Sequence, residues 1–203
     1  MDSYLHRLQQ AITSATRGMT IEQLTWRAEG KWSAAEILEH LYLTYSGTVK
    51  GMERCLQLGK PLASVPSLKQ RAFVTLVVRL GCLPKGRKSP DRAIPKGMLP
   101  NEVIADIGPR ITAMEHLIAQ CEARYGARTR VLDHPVLWPM TAGPWRKFHW
   151  VHGRHHVKQI QERRRLLIRS RCNDGRPARP GVPHTDLCRV EGAAGSLRRS
   201  PRK

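Results

Sequence analysis

From Thr141 to about Ile168 the chain repeats with a helical period, yet the face that this period gathers on one side is not apolar. At about 100° per residue, Trp145, Phe148, His149, His152, His156, Gln159, Ile160, Arg163 and Leu167 share that face, while Lys147, Arg154, Lys158, Gln161 and Arg165 lie opposite. A helix that buries such a face must meet an element that gives its imidazoles hydrogen-bond partners or an ion, because an unpartnered buried polar group costs about 1–3 kcal/mol. Few helical pairings satisfy that requirement.

An earlier segment offers a matching surface. Trp32-Ser33-Ala34-Ala35-Glu36 has the pattern of a capping box, Ser33 accepting from the Glu36 N–H and the Glu36 carboxylate accepting from the Ser33 N–H. It opens a helix expected to reach about Leu58, with an inward stripe of Ser33, Ile37, His40, Leu41, Thr44, Gly47, Thr48, Gly51, Cys55 and Leu58. Histidine stands there where leucine would serve a core, and the small residues leave room. His40 could meet His152 and His156, whose i, i+4 spacing points both rings the same way. Three imidazole nitrogens would hold a divalent cation with a position open for water or substrate. The same side chains also suit a polar core cluster with Thr and Gln, held by hydrogen bonds alone. One i, i+4 histidine pair does not decide between the two.

Two further helices are expected. Residues 2–17 place Leu5, Leu8 and Ile12 at helical spacing before Gly18, and residues from about Asn101 to Ala123 carry Ile104, Ile107, Ile111, Met114, Ile118 and Cys121, with Pro109 set to kink them. Thr20 to Trp26 reads as a short turn. No alternating strand pattern emerges, so the fold expected is all-α, a bundle of four helices. The connection between its second and third helices is long, about forty proline-rich residues, in which Leu68 to Leu83 could form an extra helix beside a basic rim of Arg71, Arg79, Lys85, Arg87 and Lys88.

Composition narrows the class. The 203 residues hold 35 Lys and Arg against 16 Asp and Glu, a formal net charge of +19. The excess is spread over the body as well as the end: 27 basic and 13 acidic residues lie in the first 169. Such a surface suits nucleic acid, but aromatic residues for base stacking are sparse at 5% and no nucleic-acid-binding signature appears, so a solvated basic surface is the favoured reading. Five widely spaced cysteines without a Cys-x-x-Cys fit a reducing compartment. The longest apolar run, Ala72 to Val78, is too short to cross a bilayer, and a cytoplasmic location is expected. Whether the chain pairs with itself through Tyr42, Val49 and neighbouring outward positions is open.

Trp32-Ser33-Ala34-Ala35-Glu36-Ile37-Leu38-Glu39-His40-Leu41, with His152-Gly153-Arg154-His155-His156-Val157-Lys158-Gln159-Ile160 far downstream, resembles the DinB/YfiT-like superfamily. His134-Pro135-Val136-Leu137-Trp138-Pro139-Met140-Thr141 and Trp145-Arg146-Lys147-Phe148-His149 resemble, more narrowly, the branch called domain of unknown function 1569. The likeness spans about residues 2–168. It implies a four-helix bundle with a metal site of three histidines, carried over onto His40, His152 and His156, and a divalent cation such as zinc, nickel, iron or manganese. It further implies thiol S-transfer or a related metal-assisted, hydrolase-like reaction on a small molecule. Two features depart from the branch: Gly143-Pro144 stands where helix-forming residues are usual, and the basic C-terminal segment has no counterpart.

Other residues receive lesser roles. His149 is expected to hydrogen-bond beside the ligands rather than to ligate, His155 to pair with water or a neighbour, His134 to occupy a turn before Pro135, and Cys55 to be inertly buried. Arg163 suits either an anionic substrate group or a salt bridge with Glu36. The alternative to an enzyme is a noncatalytic bundle stapled by metal, whose basic surface binds an acidic partner or nucleic acid. The domain is expected over 1–169, with 170–203 a disordered basic tail rich in Pro, Gly and Arg. Limited proteolysis is expected to trim that tail and leave a folded core; protection of the segment in the free protein would refute the boundary.

Overall fold

The computed structural model describes residues 3–65, 67, 89–134 and 138–173. The helix suggested for Leu68 to Leu83, its basic rim, and the tail beyond residue 173 lie outside the described residues. Within them the chain is mostly helical: α1 (Tyr4–Thr16), α2 (Ile21–Thr25), α3 (Ala34–Gln57), a 3-10 turn (Asp91–Ala93), α4 (Pro100–Tyr125), strands β1 (Arg130–His134) and β2 (Trp138–Thr141), and α5 (Ala142–Asn173).

The helices begin where side chains satisfy their free N–H groups. Ser33 and Glu36 form the expected capping box on α3. Thr20 and Gln23 form a second one, so the segment read as a turn is a short helix in its own right. Pro100 opens α4 at a position where a missing N–H matters little. Pro109 lies inside α4, which continues through it; Pro109 and Ala105 are both exposed, so water can reach the carbonyl that the proline leaves without a donor.

Packing runs in two main pairs, α3 against α4 and α1 against α5, with α3 also meeting α5. One apolar core joins them, including Leu5, Leu8, Ile12, Ile37, Leu38, Leu41, Tyr45, Met52, Ile111, Met114, Ile118, Trp145 and Ile160. In α4 the inward residue of the first turns is Val103, 1% exposed, whereas Ile104 is 38% exposed. Both fit the spacing to Ile107, and packing against the neighbouring helices selects the former. Leu58 is exposed because α3 has ended, and Val49, expected to face outward, is buried because α3 is covered on more than one side. Val49 thus packs into the core rather than onto the outer surface.

The sequence also missed a hairpin. β1 and β2 pair antiparallel, with Leu132 opposite Met140 and His134 opposite Trp138. The strands are short, and β1 lacks clean alternation. Tertiary contacts hold it: the Leu62 N–H and the Cys55 thiol both donate to the Val131 carbonyl, at 2.8 and 3.3 Å. His134, read as a turn residue, ends β1, with its ring packed edge-on against Phe148. At the other end, α5 extends through residues 170–173, which the sequence assigned to the tail. Arg171 bonds Glu22 at 3.0 Å there, and a helix can propagate through its backbone bonds without an apolar face.

Two glycines allow opposite predictions. A Cβ on Gly153 would collide with the buried Leu8 side chain and lie 3.0 Å from the Tyr45 hydroxyl, so α1 and α5 approach closely there. Gly153→Ala is expected to lower unfolding free energy by about 1–2 kcal/mol in urea titrations, the cost of overpacking. Gly47, also helical, has nothing among the described residues within 4 Å of such a Cβ. Gly47→Ala is expected to raise stability by up to about 1 kcal/mol.

Candidate metal centre

The capping box fixes where α3 starts and so which of its side chains face α5. His40 falls in the seam, 4% exposed, opposite His152 and His156 on consecutive turns of α5. The Nε2 atoms of His40 and His152 are 3.3 Å apart, and those of His152 and His156 are 3.0 Å apart. One nitrogen from each of the three lies within 4.8 Å of the others, so the cluster could hold a metal ion.

Neighbours turn those nitrogens inward. The His40 Nδ1–H donates to the Ala93 carbonyl at 2.7 Å, leaving the Nε2 lone pair bare. His156 Nδ1–H donates likewise to Gln159 Oε1 at 2.7 Å, while the Gln159 amide nitrogen donates to His155 at 3.3 Å. His152 stacks on Phe148, with ring centroids 5.5 Å apart and planes 9° from parallel; among the described residues its buried Nδ1 has no hydrogen-bond partner. With two Nε2 atoms bare, no tautomer of His152 satisfies every ring nitrogen. If Nε2 carries the proton, it satisfies one neighbour and leaves a lone pair on the other; if Nδ1 carries it, three lone pairs converge.

A divalent cation would resolve that conflict. Ligand bonds of about 2.0–2.1 Å separate neighbouring nitrogens by about 2.9 Å at right angles and about 3.3 Å at tetrahedral angles, close to the two spacings that His152 makes with His40 and His156. The residues therefore fit a bound ion, without selecting its geometry. Burial depresses all three imidazoles: His40 falls below its ordinary value, His156 to about 3, and His152 well below, pushed further by His156 and His40. Neutral rings are the form that binds metal.

Other residues singled out from sequence are distributed along α3 and α5. His149 is fully buried, with Nε2 3.1 Å from the Thr48 hydroxyl and its ring stacked on Trp145. Burial, then His134, takes it to about 3. Arg163 does not reach Glu36. Its Nε donates to the Trp32 carbonyl at 2.9 Å, and its Nη1 lies 3.3 Å from Glu162. Of the two roles considered for Arg163, the Glu36 bridge is absent: the capping box claims one carboxylate oxygen, through the Ser33 N–H at 2.8 Å, and Arg27 takes the other at 2.5 Å. Burial raises the Cys55 thiol above its usual range, against reactivity.

Sequence reasoning missed Glu39. This carboxylate, 2% exposed, accepts from three successive backbone N–H groups, those of Lys96, Gly97 and Met98. Nothing in the local pattern marks it, since its partners lie more than fifty residues away.

No curated protein and no solved structure matches the chain. A family profile does, over residues 1–163, and that span contains all three histidines and most of α5. The chain therefore belongs to the family described as protein of unknown function (DUF1569).

Proposed function

We propose that the chain is a DinB/YfiT-like four-helix bundle in which His40, His152 and His156 hold one divalent cation, and that it acts as a metal-dependent transferase or hydrolase-like enzyme on a small molecule. The observation that carries the reading is the pair of short Nε2 separations, 3.3 and 3.0 Å, among rings whose outer two are oriented by hydrogen bonds at Nδ1. When bound, the cation supplies Lewis acidity toward water or a thiol. The chain's residues do the remainder: Ala93 and Gln159 orient the rings, and Phe148 and Trp32 lie against His152 and His40 as apolar walls. Thiol transfer is favoured by the superfamily resemblance.

Elemental analysis of untagged protein purified without added metal tests occupancy. His40→Ala, His152→Ala and His156→Ala are each expected to weaken binding by more than the roughly 10–100-fold typical of losing an outer hydrogen-bonding partner. His155→Ala is expected to leave occupancy intact. Full occupancy in all three single variants would end the reading.

A noncatalytic staple is the competing role, because a cation here would cross-link α3 to α5. The apolar core argues against dependence on it: Leu5, Leu8, Ile37, Leu41, Ile111, Met114 and Ile118 are all at most 1% exposed, and each such side chain contributes about 1.5–3 kcal/mol. Chelated protein is expected to keep its helical circular dichroism and cooperative melting, with a lower midpoint. Loss of helicity at room temperature on chelation would favour the staple.

A further inference from the structure

His40 depends on a carbonyl from an irregular segment. Ala93 sits in the 3-10 turn, where the Ala93 N–H donates to Pro90 at 2.8 Å and the Ile94 N–H to Asp91 at 3.2 Å. Those bonds shape the turn but do not tie it to α3. The attachment comes a few residues later. Glu39 Oε1 accepts from the Lys96 N–H at 2.5 Å, and Oε2 accepts from the Gly97 and Met98 N–H groups, both at 3.1 Å. Gly97, at φ +90°, has the left-handed backbone that turns these consecutive donors toward one carboxylate. Among the described residues no cation pairs with Glu39, so backbone amides are the groups that compensate its buried charge. The segment is thus fastened to two consecutive residues of α3: Glu39 grips its far end, and His40 meets its near end.

We propose that Glu39 is the positioning residue of the histidine cluster: by clamping residues 96–98 it holds the Ala93 carbonyl against His40 Nδ1, which fixes the tautomer that turns the Nε2 lone pair toward His152 and His156. The tautomer follows from geometry alone. Only the consequence for metal affinity rests on the three-histidine reading above. A carboxylate accepting three N–H groups is hard to replace, because an amide at the same position would aim its NH2 at one of the donors. A residue important only for folding would alter stability without selectively changing one imidazole.

The experiment uses the full chain with histidine ring nitrogens labelled, comparing wild type, Glu39→Gln and Glu39→Ala. In metal-free protein, nitrogen NMR is expected to show His40 protonated at Nδ1 in wild type and redistributed toward Nε2 protonation in Glu39→Ala. His156, held by Gln159, keeps its pattern in all three. Zinc titration is expected to give dissociation constants raised about 10–100-fold in Glu39→Ala, with Glu39→Gln between it and wild type. An unchanged His40 tautomer in a folded variant would overturn the proposal; if Glu39→Ala does not fold, Glu39→Gln decides. Should wild type take up no zinc, the metal reading fails while the nitrogen spectra still judge Glu39.

Discussion

Three imidazoles meet in the seam between α3 and α5, His40 and His156 buried and His152 partly buried, and their desolvation is returned only if each ring nitrogen finds a partner. Hydrogen bonds at the Nδ1 atoms of His40 and His156 meet that demand at two of the six ring nitrogens. They also sharpen the rest of it, because each bond turns a bare Nε2 inward. Ala93 and Gln159 therefore set how the outer two rings of the cluster are turned, although neither belongs to it. Burial keeps the rings neutral, so the electron pairs face one another at contact distance.

The surrounding packing makes this arrangement possible by keeping other groups out. Gly153, directly after His152, lets Leu8 of α1 press against α5, and Gly51 of α3 receives Leu132 from the hairpin. The small residue at position 51 thus makes room for β1. Tyr125 donates to the Cys55 carbonyl at 2.7 Å, and Arg146 bridges Glu115 and Glu122 at 2.7 Å each, fastening α4 to both α3 and α5. These contacts close the frame away from the histidines, so the cluster can be polar without weakening the apolar core.

Local chemistry made much of this legible in advance. Ser33 and Glu36 announce a helix start because a capping box needs only four residues, and the periodic spacing of Leu5, Leu8 and Ile12, or of Ile111, Met114 and Ile118, names a buried face. The same periodicity puts His152 and His156 together and sets His40 on the stripe that meets them. It could not choose Val103 over Ile104, because both lie within one turn of Ile107 and the choice belongs to the neighbouring helices. Nor could it find β1, whose place depends on bonds from Leu62 and Cys55.

By itself, then, the sequence determined the four long helices, the capping box of α3 and the three histidines, since each depends on residues a turn or two apart. Tertiary structure alone decided how those histidines are turned. Nδ1 of His40 is directed by a carbonyl fifty-three positions away, and the segment bearing that carbonyl is bonded to Glu39 through backbone donors, among which only Gly97, at φ +90°, calls for a particular residue type. Backbone groups carry no side-chain signature. Their contribution to the centre becomes visible only when the chain has brought them into contact.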